Sequence, residues 1–299
     1  LPQAAGGVRE LVTDCDIAAS DDEDPSRLTQ PVRWGLVNVP LALRVCAIAL
    51  GRDPGNPRLQ FLLGRSLEMA RRYEEAEAIY REAIAGGYGA AMVNLGYMHR
   101  VGRGRPVDGA EAARLYREAA LLGNPRARVN LGSLYRTGQG VPKDLAEAVY
   151  WTRLAADVGW ANAINALGNY VEKGEGVTQD DAQAAELYVR AAQLGQDDAM
   201  NSLGRAYEEG RGVPKDLQQA VAWYERAMAL GNPFAPRRLG LLYQRGAEPV
   251  VRADPRRARE LFLLAADRGY LDAFADVARL HEKGQGVRKD PAQAYYYYL

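Results

Sequence analysis

Small and hydrophobic residues recur along most of this chain at a fixed interval. The clearest marker of the repeat is a Leu-Gly pair, and consecutive pairs stand 36 residues apart, with glycines at Gly96, Gly132, Gly168, Gly204 and Gly240. Apolar residues follow every three or four positions around each pair, and again around a later Ala-Ala pair, which indicates two amphipathic helices per interval. A fixed period of this length is typical of stacked supersecondary units. The pattern therefore predicts an all-α array of helix pairs.

A second motif, Gly-x-Gly followed by an aspartate, separates the two helices of most repeats. We expect the first glycine to end its helix in a left-handed conformation and the second to let the chain reverse closely. The aspartate is expected to cap the next helix by accepting hydrogen bonds from its free backbone N–H groups. In the sixth repeat, the loop before Asp254 carries two extra residues. The other predicted caps are Asp108, Asp144, Asp180, Asp216 and Asp290.

Two predicted helices precede the repeats. The first runs from Val8 to Ala19 and the second from Leu41 to Leu50, with Pro40 at its start and Gly51 at its end. After them, one shorter helix pair is similar to a tetratricopeptide repeat, and about six longer repeats follow, the last of them truncated. Because the chain starts at Leu and stops inside a predicted helix, we expect the natural protein to be longer.

We therefore divide the chain into two parts. Residues 1–57 are expected to form a helical leader that caps the array, and residues 58–299 are expected to form the array itself. Both cysteines, Cys15 and Cys46, lie in the leader. They are either two small apolar residues of a cytosolic protein or a disulfide, which the loop-entropy model values at roughly 3–4 kcal/mol. Their positions on successive helices favour the disulfide.

Charge and composition exclude several classes of function. The 299 residues carry a formal net charge of +0, so no global field attracts nucleic acid or an anionic membrane. We find no apolar run long enough to span a bilayer. The glycine pairs follow helices, whereas nucleotide-binding glycine loops follow strands. His99 and His281 occupy the position that holds Tyr135 in the third repeat. We therefore expect no metal, no cofactor and no catalytic activity.

The repeated residues resemble those of the Sel-one-like repeat family, relatives of the tetratricopeptide repeats. They are Leu-Gly-x-x-Tyr, Gly-x-Gly-Val, the capping Asp, Ala-x-x-Trp and Ala-Ala-x-x-Gly, and the resemblance covers Gly87 to Leu299. It implies antiparallel helix pairs stacked into a right-handed α-α superhelix, or solenoid. It also implies an adaptor for protein partners. Many bacterial members are exported, so we expect a periplasmic or secreted protein, with a cytoplasmic one as the alternative.

The resemblance further implies that the first helix of each pair lines an inner groove. Asn94 and Asn130 match a position where related repeats hold a peptide backbone or a carboxylate. An asparagine can both donate to and accept from an extended chain. The alternative is that each asparagine hydrogen-bonds the neighbouring repeat. The expected groove residues are Asn94, Tyr97, Arg100, Asn130, Ser133, Arg136, Asn169, Arg205 and Arg238.

The expected function is a non-catalytic scaffold that binds a partner protein or peptide in this groove, in the bacterial cell envelope. Peptidoglycan association belongs to the same expectation, while nucleic acid and membrane insertion do not. One alternative is a cell-wall glycan-binding or enzyme-regulating module, for which Tyr97 is the lone aromatic candidate. Another is the repeat region of a larger enzyme.

Overall fold

Helices connected by short turns account for almost the whole of the computed structural model, which describes residues 14–19 and 37–299. In the described ranges the helices are α1 Asp14–Ala19, α2 Val39–Arg52, α3 Pro57–Met69, α4 Tyr73–Ala85, α5 Gly89–Val101, α6 Gly109–Leu121, α7 Pro125–Thr137, α8 Leu145–Asp157, α9 Ala161–Lys173, α10 Asp181–Gln193, α11 Asp197–Glu209, α12 Leu217–Ala229, α13 Phe234–Arg245, α14 Pro255–Asp267, α15 Ala273–Lys283 and α16 Pro291–Tyr298.

The chain divides into two compact units, the first ending at Ala155 and the second beginning at Ala156. In the first unit, each helix from α3 to α6 packs on the next one. In the second unit, each helix from α9 to α15 likewise packs on the next one. Consecutive helix pairs of this kind confirm the predicted all-α fold class.

The two helices before the repeats differ from the prediction. Residues 8–13 of the first predicted helix lie outside the described part, and α1 begins at Asp14. Helix α2 continues past Gly51 to Arg52, so the prediction that Gly51 ends this helix is wrong. The helix stops where Asp53, at φ −139°, precedes Pro54. The proline ring disfavours the helical conformation for the residue before it.

A disulfide between Cys15 and Cys46 joins α1 to α2. Both cysteines are fully buried, in one core cluster with Phe61 and Tyr80 of the first helix pair. Arg65 on α3 donates a hydrogen bond of 2.5 Å to the Ala19 carbonyl. These contacts fix the described part of the leader on the first helix pair. That the leader caps the array stays a prediction.

In most Leu-Gly pairs the glycine lies against a large aromatic ring of the partner helix. Gly132 differs, because it lies against the Ala148 carbonyl oxygen and the Thr152 side chain. A Cβ on Gly96 would stand 2.7 Å from the ring of Tyr116, and one on Gly204 would stand 2.7 Å from that of Tyr224. Gly64, Gly168 and Gly240 meet Tyr80, Tyr188 and Phe262 in the same way. These rings are among the most buried side chains of the protein. The glycines are therefore required by close packing, despite their cost of roughly 1 kcal/mol in a helix.

The turns and caps follow the predicted chemistry. The first glycine of each Gly-x-Gly turn is left-handed, as Gly138 shows with φ 75° and ψ 22°, and its N–H donates to the Leu134 carbonyl at 2.8 Å. Each predicted aspartate accepts from backbone N–H groups of the helix that it precedes, as Asp216 does from Gln219 at 3.0 Å. The sixth repeat also ends at such a cap, Asp254.

The second glycine of the turn makes a contact that the sequence did not predict. Gly140, at φ +76°, lies directly against the backbone of Gly109, the first residue of α6 in the preceding repeat. Gly212 lies against Asp181 at the start of α10, and Gly286 lies against Pro255 at the start of α14. Each of these glycines therefore seats one repeat on the previous one, in addition to turning the chain.

Candidate partner-binding face

The face formed by the first helices of the pairs carries the sequence-predicted groove residues. We define the first-helix face by the positions two before, one after and four after the glycine of each Leu-Gly pair. Each unit has its own part of this face. The first unit contributes Asn94, Tyr97, Arg100, Asn130, Ser133 and Arg136, and the second contributes Asn169, Glu172, Arg205, Glu208 and Arg238.

Asn94 is committed to contacts within the protein. Its side chain is only 4 % exposed, and its amide donates to the Tyr80 hydroxyl at 3.1 Å. Its carbonyl oxygen accepts from Arg126 at 3.2 Å. Tyr80 belongs to the preceding helix pair and Arg126 to the following one. For Asn94 the contacts therefore match the alternative in which the asparagine bridges neighbouring repeats.

Asn130, Ser133 and Arg136 lie on the same face one repeat later and are more accessible. Asn130 and Ser133 are half-buried and Arg136 is exposed. Within the described residues, the side chains of Asn130 and Arg136 make no hydrogen bond or ion pair. Their polar groups are therefore available to a ligand.

Tyr97 lies between the asparagine and the turn, in contact with two guanidinium groups. The Arg100 guanidinium carbon is 5.1 Å from the ring centroid, and that of Arg103 is 4.9 Å from it. Arg103 also donates to the carboxylate of Glu68 at 2.5 Å. Cation–π contacts of this kind hold the ring and the cations together.

A buried carboxylate organises the corresponding part of the second unit. Glu172 accepts hydrogen bonds from the Tyr188 hydroxyl at 3.1 Å and from Arg205 of the next repeat at 2.6 Å. Arg211 approaches it at 3.2 Å, and the Tyr188 hydroxyl also lies 2.9 Å from Asn169. Arg205 and Asn169, both predicted groove residues, are therefore partly engaged in this network.

The same arrangement recurs wherever the position four after the glycine is Glu. Tyr224 donates to Glu208 at 2.7 Å, and Arg245 of the next repeat donates to the same carboxylate at 2.6 Å. Tyr80 donates to Glu68 at 2.9 Å. The structural role of these carboxylates was not predicted from the sequence, although a Glu recurring at one position of the repeat was a signal. The remaining predicted residue, Arg238, is half-buried on this face.

Burial sets the protonation of this network. It raises the pKa values of Tyr188 and Tyr224 well above the usual range, and the neighbouring carboxylates Glu172 and Glu208 raise them further. Both tyrosines therefore keep their protons and remain hydrogen-bond donors. Burial also raises the pKa of Glu68, while the hydrogen bonds from Tyr80 and Arg103 partly offset this by favouring the carboxylate.

We expect Glu172→Ala to destabilise the second unit by about 2–3 kcal/mol, because it leaves the Tyr188 hydroxyl and the Arg205 guanidinium without their acceptor. Urea denaturation measures this change. The matched control is Glu186→Ala on α10, an exposed carboxylate, which we expect to change stability by less than about 0.5 kcal/mol. Equal effects of the two substitutions would contradict a structural role for Glu172.

The described residues contain no group of three or more His, Cys, Asp or Glu side chains placed to hold a metal ion. None of their helices is long and apolar enough to cross a bilayer.

An apolar cleft of about 780 Å³ lies between α15 and α16, lined by Leu271, Phe274, Tyr296, Tyr297 and Leu299 among others.

Packed helix pairs with a variable polar face define a protein built from helical repeats. The model of the Sel1 repeat matches the chain at residues 89–124, 125–160, 161–196, 197–232, 234–270 and 273–299. The chain therefore belongs to the Sel1 repeat family. Proteins with these repeats generally act as protein-interaction scaffolds and are typically non-catalytic.

Solved structures agree with this assignment. A Sel1 repeat protein from Oxalobacter formigenes is 33% identical, with a TM-score of 0.71 over 79% of this chain and 96% of that one. A protective antigen present in uropathogenic Escherichia coli strains is 31% identical, with a TM-score of 0.65 over 88% of this chain. This chain spans only 55% of that antigen.

A more distant structure shares the fold alone. An immunity protein from Pseudomonas aeruginosa is 21% identical, with a TM-score of 0.53 over 70% of this chain and 79% of that one. A comparison with curated proteins gave no match.

Proposed function

We propose that this protein is a non-catalytic scaffold that holds a partner protein or peptide on its first-helix face. The observation that carries the proposal is the contrast between repeating and non-repeating positions. The residues that pack, turn or cap recur from repeat to repeat, whereas the positions of Asn130, Ser133 and Arg136 hold different residues across the array, and these three project polar groups to the surface. Packing does not explain those three residues, so binding is the role that remains for them.

The chemistry of these side chains suits an extended polypeptide. An amide and a hydroxyl both donate and accept hydrogen bonds, which matches the alternating N–H and C=O groups of a peptide backbone. A guanidinium adds several donors in a fixed plane for a carboxylate or a carbonyl. The family's general role in protein interactions supports the same proposal.

We expect the double variant Asn130→Ala/Arg136→Ala to weaken partner binding by roughly tenfold or more, as removal of central interface side chains does. Its melting temperature should stay nearly unchanged, because neither side chain bonds to other described residues. The partner is first captured from an envelope fraction of the source cell and identified by mass spectrometry, and its affinity is then measured with purified components.

Arg153→Ala, an exposed arginine on the second helix α8, is the matched control and should leave binding intact. If the double variant melts early, the two residues are structural. If it binds the partner as the unmodified protein does, this part of the face is not the binding site.

The cell envelope is the location that we propose. The Cys15–Cys46 disulfide supports it, because disulfides persist in oxidising compartments such as the periplasm and are rare in the cytosol. A glycan-binding role has less support, since the Tyr97 ring already contacts two guanidinium groups. Counting free thiols, described in the Discussion, tests the location.

A further inference from the structure

The charge at one position of the first-helix face reverses in two consecutive repeats. Four residues after the glycine, other repeats carry Glu68, Glu172 and Glu208, each of which accepts a hydrogen bond from a buried tyrosine. The second and third helix pairs carry Arg100 and Arg136 at this position instead. Both arginines lie in the first unit, on α5 and α7.

These two arginines lack the counter-charge that the glutamates have. Within the described residues, neither guanidinium forms an ion pair with a carboxylate. The Arg100 guanidinium lies over the ring of Tyr97. Another neighbour is the buried hydroxyl of Tyr116, which is neutral and supplies no counter-charge. Burial raises the pKa of Tyr116, and the charges of Arg100 and Arg126 partly oppose this rise.

The Glu68 carboxylate, at the same position of the helix pair before Arg100, is already in use. Glu68 accepts from Tyr80 and from Arg103, and Arg126 lies close enough to lower its pKa. The first-helix face of the first unit therefore presents arginines in excess of carboxylates. In the second unit, by contrast, Arg205 and Arg211 form ion pairs with Glu172, and Arg245 forms one with Glu208.

We propose that Arg100 and Arg136 form a binding site for an acidic peptide segment of the partner. Carboxylates of that segment pair with the two guanidinium groups. This rests on the proposed function and names the chemistry of the partner. Asn130 and Ser133, which precede Arg136 on the same helix, supply amide and hydroxyl groups for the peptide backbone next to the acidic side chain that Arg136 binds. Guanidinium groups bind carboxylates through paired, charge-assisted hydrogen bonds.

A polypeptide fits this site better than a nucleic acid does. The proposed site uses two arginines of a chain whose net charge is +0, whereas nucleic-acid binding needs an extended basic patch. Asn130 and Ser133, which precede Arg136 on α7, also suit a peptide backbone. Nucleic acid is accordingly an outcome that the experiment must be able to detect.

The test measures fluorescence anisotropy with a short, capped and labelled peptide of alternating Glu and Gly. The matched probes are the same peptide with Gln in place of Glu, and a single-stranded oligonucleotide. We expect the Glu peptide to bind at least about tenfold more tightly than the Gln peptide. Its binding should weaken as salt is added, because partly exposed charges are screened.

The decisive variants are Arg100→Glu and Arg136→Glu, which install the residue that other repeats have at this position. Arg100→Glu gives Tyr116 the acceptor that Tyr188 has in Glu172, so the fold should tolerate it. Each variant should lose roughly tenfold in affinity for the Glu peptide. If Arg100→Glu fails to fold, Arg136→Glu carries the test alone, because that side chain is exposed. Arg153→Glu on α8 is the control of equal charge change.

Three results would overturn the proposal: equal binding of the Glu and Gln peptides, unchanged binding by both charge-reversed variants, or tighter binding of the oligonucleotide than of the Glu peptide. None of them refutes the scaffold function, which depends on the captured partner and the alanine double variant. The alanine double variant tests the scaffold function separately. If it keeps full affinity for the captured partner while the unmodified protein binds the Glu peptide, the scaffold proposal fails at this face and the acidic-peptide site stands by itself.

Discussion

Replacing Gly140 by Ala should destabilise the first unit by about 2–5 kcal/mol. The left-handed conformation of this residue costs an L-residue roughly 1–2 kcal/mol. In addition, a Cβ would overlap the backbone of Gly109 and Ala110 in the preceding repeat. Backbone at a helix start cannot rotate away as a side chain can, so the overlap forces the two repeats apart at a cost of about 1–3 kcal/mol. Urea denaturation with thermal unfolding measures the loss.

The Gly123→Ala variant separates the cost of the left-handed conformation from the cost of the steric overlap. Gly123 has the same left-handed conformation at φ +89°, but the nearest atom to a Cβ there is the flexible end of Arg128 at 4.0 Å. This control should therefore show only the conformational penalty. If both variants lose the same stability, the seating of Gly140 on the previous repeat contributes nothing, and the glycine serves the turn alone.

Removing the disulfide with Cys15→Ala/Cys46→Ala should lower the free energy of unfolding of the first unit by about 3–4 kcal/mol. The cross-link joins residues 31 positions apart, and the loop-entropy model gives a loss of this size for such a loop. The cysteines are fully buried in the core that also holds Phe61 and Tyr80, so the effect should reach the first helix pair. Hydrogen exchange, followed by mass spectrometry, measures the expected loss of protection in α3 and α4.

The second unit supplies the internal control, because its helices make no part of that core. Protection of α10 to α12 should stay unchanged between the two forms. Equal loss in both units would indicate global unfolding rather than release of the leader. Thiol titration of denatured protein, prepared without reductant, should find no free cysteine, and two titratable thiols would remove the support for an envelope location.

The Glu172 network and the arginine pair occupy the same position of the repeat. Where the residue is glutamate, it joins a buried tyrosine to an arginine of the next repeat. Where it is arginine, no carboxylate among the described residues pairs with it. Under the proposed function, the position therefore supports the fold in some repeats and binds the partner in others.

Much of the fold followed from local rules. The 36-residue period, the left-handed Gly138 and the cap at Asp144 each depend on a few neighbouring residues, and the structure confirms them. The Gly51 prediction failed because it treated a glycine as sufficient to end a helix. The helix continues until Asp53 and Pro54, where the proline makes the helical conformation unfavourable.

Long-range contacts decided the remainder. The helices, their pairing and the order of the repeats could be predicted from the sequence, because propensity, hydrophobic period and capping act within a few residues of the chain. Only the tertiary structure showed that Gly140 seats one repeat on another, that Asn94 is buried between repeats, and that Glu172 is bonded while Arg136 is not. Those assignments depend on residues one repeat away. The repeat pattern alone does not show which side chains at equivalent positions are bonded within the protein, because their partners lie in neighbouring repeats.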